Sequence, residues 1–223
     1  MDIKANMQAV KENIAQAAKV AGKKAEDIQL IAVSKTVDEE RIKAVAETGH
    51  LSFGENYVQE FIEKYANLPE FEWHFIGQLQ TNKVKYIVKK ASLIHTLDRP
   101  SLAKELDKRY RALNLQVRTL IQVNIGQEAQ KGGIAPDAVE SFIDQCKSYS
   151  GIAICGLMCI PPYQVNPEDG RVYFERMRNL YDRLNAKGYQ LTKLSMGMSA
   201  DYALAIEEGA NIVRVGSAIF GAR

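Results

Sequence analysis

Short apolar runs alternate with segments whose apolar residues recur every three or four positions, and this alternation runs the length of the chain. Strands return a side chain to one face every second residue and helices every 3.6, so the two periods separate the elements. The opening segment puts Ile3, Met7, Val10, Ile14 and Ala17 on one helical stripe that stops near Gly22. A strand over Ile28–Ser34 follows, then a helix from near Asp38 that turns Ile42, Val45 and Ala46 inward and stops at Gly49. Leu51–Gly54 predicts a short strand, with Val58, Phe61, Ile62 and Tyr65 on the helix behind it. Trp73–Ile76 predicts another, before a helix carrying Val84, Ile87 and Val88.

The second half keeps the rule. Strand Leu93–Leu97 leads through Asp98 and Pro100, read as a cap and first-turn pair, into a helix marked by Leu102, Leu106 and Leu113. Strand Val117–Ile125 precedes a glycine-containing loop and a helix with Val139, Phe142, Ile143 and Cys146. Strand Ile152–Cys159 runs into Pro161-Pro162, and a long helix carries Tyr173, Met177, Leu180 and Leu184. Strand Leu191–Ser195, helix Ala200–Glu208 and strand Asn211–Val215 close the series, with a last turn of helix after them. The count is about eight strand-then-helix units, the number that closes a parallel (β/α)8 TIM barrel. An open doubly wound sheet uses the same alternation. The second half carries no Gly-x-Gly-x-x-Gly after its first strand, which favours the barrel, with an extra N-terminal helix and residues 1–223 as one domain.

Composition acts mainly by exclusion. A chain of 223 residues with 46% hydrophobic and 25% charged positions is ordinary for a globular protein. A formal charge of +2 sets up no strong field toward nucleic acid or membrane, and Lys83-Val84-Lys85 and Lys89-Lys90 read as solvated helix faces. The chain's start lacks the apolar core of a signal peptide, and no apolar run is long enough to span a bilayer. The three cysteines form no disulfide framework, so a reducing cytoplasm is expected. Cys155 and Cys159 are read on one face of a strand as packed thiols, without partners at metal spacing.

In a barrel, functional residues emerge at the C-terminal ends of strands. Lys35 stands there at the end of Ile31-Ala32-Val33-Ser34-Lys35, Asn56 just past the second strand, and Met158 near the end of the sixth. Ser199 and Gly216-Ser217 follow the seventh and eighth, where free N–H groups suit an anion. Gly197 and Gly216 permit close backbone approach, and the two serine hydroxyls add donors. An amine at the mouth with a phosphate cradle opposite suits a carbonyl cofactor held as a Schiff base, namely pyridoxal 5′-phosphate (PLP). The plainer alternative for Lys35 is a surface lysine after a strand. Arg214, inside Ile212-Val213-Arg214-Val215, points outward or into a buried ion pair, or inward to donate to a pyridine nitrogen. His50 and His95 flank strands and are read as ordinary, whereas His74 is read as a hydrogen-bonded core residue.

Six blocks in order carry a resemblance: Ala32-Val33-Ser34-Lys35, Phe53-Gly54-Glu55-Asn56-Tyr57, His74-Phe75-Ile76-Gly77, Leu79-Gln80-Thr81-Asn82-Lys83, Gly156-Leu157-Met158 and Leu194-Ser195-Met196-Gly197-Met198-Ser199-Ala200-Asp201. The chain resembles the pyridoxal-phosphate homeostasis proteins over nearly its whole length, a family similar to the barrel domain of alanine racemase. The resemblance implies Lys35 as the Schiff-base lysine, Ser199, Gly216 and Ser217 around the phosphate, Arg214 facing the pyridine nitrogen, and Asn56 near the ring. Met196 joins the implied cofactor-binding set, which contains no catalytic residue and no metal ligand. Ser217 stands where the family often has threonine, which keeps the hydroxyl. No role follows for Asn82 and Lys83.

Two function classes compete. One is a monomeric carrier that buffers PLP for PLP-dependent apoenzymes, as the resemblance implies; the other is an enzyme such as an amino-acid racemase or decarboxylase. The chain ends at Gly221-Ala222-Arg223 without a second domain to cover the cofactor, whereas racemisation needs acid–base groups on both faces. An arginine at the pyridine nitrogen also weakens the ring as an electron sink. A Schiff-base aldolase acting on a sugar phosphate is a third, remoter reading. The loop 126–133 is read as a plain solvated connection.

Overall fold

The computed structural model describes residues 2–221; Met1 and the closing Ala222 and Arg223 lie outside the described residues. Eight parallel strands close a barrel in sequence order: β1 (Gln29–Val33), β2 (Ser52–Glu55), β3 (Glu72–Phe75), β4 (Leu93–Leu97), β5 (Val117–Val123), β6 (Ile152–Cys159), β7 (Lys193–Ser195) and β8 (Ile212–Val215). The doubly wound alternative is thereby excluded. Between them run α2 (Glu39–Ala46), α3 (Val58–Asn67), α4 (Val84–Ile87), α5 (Pro100–Arg111), α6 (Val139–Cys146), α7 (Arg171–Ala186) and α8 (Tyr202–Glu207), with α1 (Ile3–Val20) ahead of the barrel and α9 (Ser217–Phe220) after it. No described helix is long and apolar enough to cross a membrane.

Alternation along each strand builds two apolar layers. Ala32, Phe53, Phe75, Ile94, Leu157 and Val213 face outward into the main core with the helices. Ile31, Leu93, Leu120, Met158 and Ile212 fill the barrel itself. The helix ends follow local chemistry. Asp2 caps α1 by accepting from Ala5 N at 3.0 Å, and Gly22 at φ 67° leaves it through Lys23 N donating to Ala18 O at 2.8 Å. α1 then lies over the closing strands, with Asn6 Nδ2 donating to Ile219 O at 3.0 Å and Lys23 Nζ to Gly209 O at 2.9 Å.

Three expectations need correction. The N-cap of α5 is Arg99, not Asp98, which instead ion-pairs with Arg99 at 2.5 Å; Pro100 does occupy the first turn. α5 ends at Arg111, leaving Leu113 exposed beyond it. Cys155 and Cys159 do not share a face, because the β5–β6 pairing steps from Thr119↔Ile154 to Leu120↔Gly156. That bulge packs Cys155 against the interior cluster while Cys159 joins the outer core. Burial pushes the Cys146 thiol up to about 11 and the Cys159 thiol up to about 12.

Candidate functional site

Lys35 lies two residues beyond β1, half-buried, on the side of the chain that Ile31 and Val33 turn into the barrel. Its neighbours are held from the opposite side by α3. Ser34 Oγ donates to Glu55 Oε1 at 2.6 Å, and Ser34 O accepts from Lys64 Nζ at 2.6 Å. Thr36, at φ 59°, donates its N–H to Glu60 Oε2 at 2.7 Å. Lys64 bridges the two carboxylates, at 2.8 Å from Glu55 and 3.0 Å from Glu60. Burial pushes the Glu55 carboxyl up, opposed by Lys64 and then by Ser34. The backbone on both sides of Lys35 is therefore clamped. Sequence reasoning missed this clamp, since Lys64 reads as one more helix-surface lysine.

The two segments read as an anion cradle lie together, beside Lys35 rather than opposite it. Ser199 Oγ accepts from Gly216 N at 3.1 Å and from Ala218 N at 3.3 Å, which joins the loop after β7 to the turn into α9. Gly197 holds φ 91°, and a Cβ there would stand 2.6 Å from Ala205 Cβ, so the turn requires glycine. Met198 N donates to Asp201 Oδ1 at 2.6 Å, which tightens the same loop; burial pushes that carboxyl up. The cradle was expected opposite the lysine. It is beside it: β8 pairs with β1 through Ala32↔Val215, and Gly216 packs against Val33. Ser217 is exposed at the rim. Met196 is fully buried in the outer core, so only its backbone borders the mouth.

Arg214 points inward, which removes the outward-facing alternative. Its guanidinium donates to Ser195 Oγ at 2.6 Å and to Cys159 O at 2.9 Å, and burial pulls its pKa down. His74 is the hydrogen-bonded core residue expected, but His95 does not flank a strand. It sits within β4, wholly buried, between His74 and Ser195. Ser195 and His95 carried no assigned role in the sequence, and nothing there marked them as partners.

Asn56 follows β2 and turns a solvent-shielded Oδ1 that has no hydrogen-bond partner among the described residues. Gly77 is pressed onto its backbone so closely that a Cβ would lie 1.9 Å from Asn56 O. A cavity of about 730 Å³ opens beside them, lined by Asn56, Tyr57, Gln78, Gln80 and Lys83. The Leu79–Lys83 block ends in a 3₁₀ turn, Thr81–Lys83, and is pinned by Arg99, which donates to Leu79 O at 2.7 Å and Thr81 Oγ1 at 3.2 Å. Loop 126–133 is likewise tied down, with Asn124 Nδ2 donating to Glu128 O at 2.9 Å and Lys131 Nζ to Pro161 O at 3.0 Å.

The mouth thus gathers an amine, the joined Ser199 and Gly216 turns beside it, an inward guanidinium below and an orphaned carbonyl oxygen at Asn56. That set of groups fits a phosphorylated aromatic aldehyde with a ring nitrogen. Comparisons with known proteins agree. Residues 5–223 match the alanine racemase N-terminal domain family. A protein of Aquifex aeolicus called pyridoxal phosphate homeostasis protein is 46% identical over 217 residues, covering 96% of this chain and 95% of its own. PipY of Synechococcus elongatus, solved with PLP bound, superposes with a TM-score of 0.81 at 33% identity over 93% of this chain and 100% of its own. Alanine racemase from Corynebacterium glutamicum shares the fold, with a TM-score of 0.71 at 15% identity over 97% of this chain and 62% of its own.

Proposed function

The chain belongs to the alanine racemase N-terminal domain family and, within it, to the pyridoxal phosphate homeostasis proteins, and from that premise we propose that it binds PLP as a Schiff base on Lys35 and serves intracellular PLP homeostasis. The observation that carries the reading is the juxtaposition of Lys35 with the Gly216 turn across the β1–β8 seam. Amine and anion cradle then engage the aldehyde and phosphate ends of one small molecule. Ser199, Gly216 and Ser217 receive the phosphate, with the backbone of Met196 bordering it. Arg214 donates toward the ring nitrogen, and Asn56 offers its unpartnered oxygen near the ring.

The bound aldehyde is kept from stray amines, and release supplies PLP-dependent apoenzymes. Arg214 opposes protonation of the ring nitrogen, which lowers the ring's capacity to stabilise a carbanion, so carriage without robust catalysis is the reading. In this reading residues 1–223 act as one domain, as a monomer in the cytoplasm. The test is borohydride reduction followed by peptide mass analysis. A pyridoxyl adduct on Lys35, absent from Lys35→Ala, is expected; an unmodified Lys35 in protein supplied with PLP overturns the assignment. Exchange of α-protons on a panel of amino acids at about 1 per second or faster would establish an enzyme instead of a carrier.

A further inference from the structure

A line of polar side chains crosses the barrel from its floor to Arg214. Arg214 Nη1 lies 2.6 Å from Ser195 Oγ, His95 Nδ1 3.1 Å from the same oxygen, and His74 Nδ1 3.1 Å from His95 Nε2. His74 Nε2 faces Glu72 Oε1 at 3.3 Å, within ion-pair range but short of hydrogen-bond alignment. Glu72 opens β3 at the floor, where Ser52 Oγ and Gln29 Nε2 also donate to it.

The chemistry of the ends fixes the sense of the whole line. Arginine only donates, so Ser195 Oγ accepts from it and is free to donate its own proton to His95 Nδ1. His95 then carries its proton on Nε2 and donates to His74 Nδ1, which leaves the His74 proton on Nε2, toward the Glu72 carboxylate. With one proton on each ring, the reverse sense would set a bare His74 nitrogen against a carboxylate and leave the Ser195 proton without this acceptor. We propose that Ser195, His95 and His74 are positioning residues, a one-way line that is hydrogen-bonded from Arg214 to His74, closes on the His74–Glu72 contact and fixes how the guanidinium is aimed at the ligand. Two independent facts agree. Burial, then the nearby His74 and Arg214, hold the His95 ring neutral. The Glu72 carboxyl is held down to about 2, first by the His74 ring and also by Ser52. Cys159 and Asp201 are the other titratable groups acting on Arg214, and neither interrupts the line.

The aim of Arg214 at a ring nitrogen rests on the PLP reading; the sense of the line does not. Nitrogen NMR of histidine-labelled, cofactor-free protein at neutral pH reads the sense directly, with His50→Gln removing the remaining histidine's signal. Both His74 and His95 are expected to carry a proton on Nε2 and none on Nδ1. An imidazolium or an Nδ1-protonated ring at either position overturns the proposal. In PLP-loaded protein, Ser195→Ala is expected to displace the cofactor's absorption maximum and weaken PLP by about three- to tenfold, the range for one lost hydrogen bond. His95→Gln, whose amide can accept from Ser195 and donate to His74, should restore most of what His95→Leu loses. An unchanged spectrum in Ser195→Ala overturns the positioning role. Wild-type protein that takes up no PLP instead refutes the function reading, while the ring tautomers still decide the line.

Discussion

Replacing Lys64 by methionine keeps most of the side chain's length and volume but removes the ammonium that three oxygens share. Its Nζ lies 2.6 Å from Ser34 O, 2.8 Å from Glu55 Oε1 and 3.0 Å from Glu60 Oε2, and Glu55 is fully shielded from solvent. Breaking a buried pair by removing one partner costs about 3–5 kcal/mol, because the remaining charge stays desolvated. For a chain of this size each kcal/mol is worth roughly 2–4 °C, so Tm should fall by about 6–20 °C at pH 7. Without Lys64, burial raises the Glu55 carboxyl further above its unfolded value. The folded state then binds the extra proton, so the deficit is small below the unfolded pKa, about 4.3. It grows as pH rises through the folded pKa. Calorimetry from pH 4 to 8 measures both effects. The double variant Lys64→Met/Glu55→Gln, which has no buried charge to strand, should recover most of the loss. A single variant melting within about 2 °C of wild type at neutral pH, or a double variant no better than the single, refutes the reasoning.

Other outcomes follow from single contacts. Gly77→Ala drives a Cβ to 1.9 Å from Asn56 O, backbone against backbone; it should cost at least the 1–3 kcal/mol typical of overpacking, about the upper figure, read as a shifted urea midpoint. Glu72, held down to about 2 chiefly by His74, contributes stability present above its unfolded pKa and lost as pH falls toward 2. Glu72→Gln should therefore flatten the acid limb of a pH–stability profile, and an unchanged limb contradicts this. Cys146 and Cys159, with thiols pushed up to about 11 and about 12, should resist a thiol-specific reagent at pH 8 until the protein is unfolded. Rapid native labelling at Cys159 runs against the burial that raises it.

The fold was legible because each strand is a short apolar run bounded by a helical stripe, and barrel closure needs little more than their count and order. Lys35 and the two glycine-containing turns were legible for a related reason, since strand ends in a parallel barrel all open on one side. What escaped were features set by a shift of one residue or by partners remote in sequence. The bulge at Cys155 reverses the facing of Cys159, and no residue type announces it. Asp98 has the chemistry of a cap, yet its carboxylate is taken by Arg99. His95 and Ser195, 100 positions apart, meet only once β4 and β7 enclose the same interior. The cradle was misplaced to the far side although closure of eight strands itself sets the last strand beside the first.

The seam between the first and last strands has a temporal consequence. During synthesis the lysine emerges with the first strand, long before the turn beside it, which follows the eighth. A partly made chain can present the amine without the anion cradle, so specific ligand capture becomes possible only after the ring of strands has shut. A small molecule needing both halves would thus act as a clasp, favouring the shut ring over any state in which the final strand has peeled away.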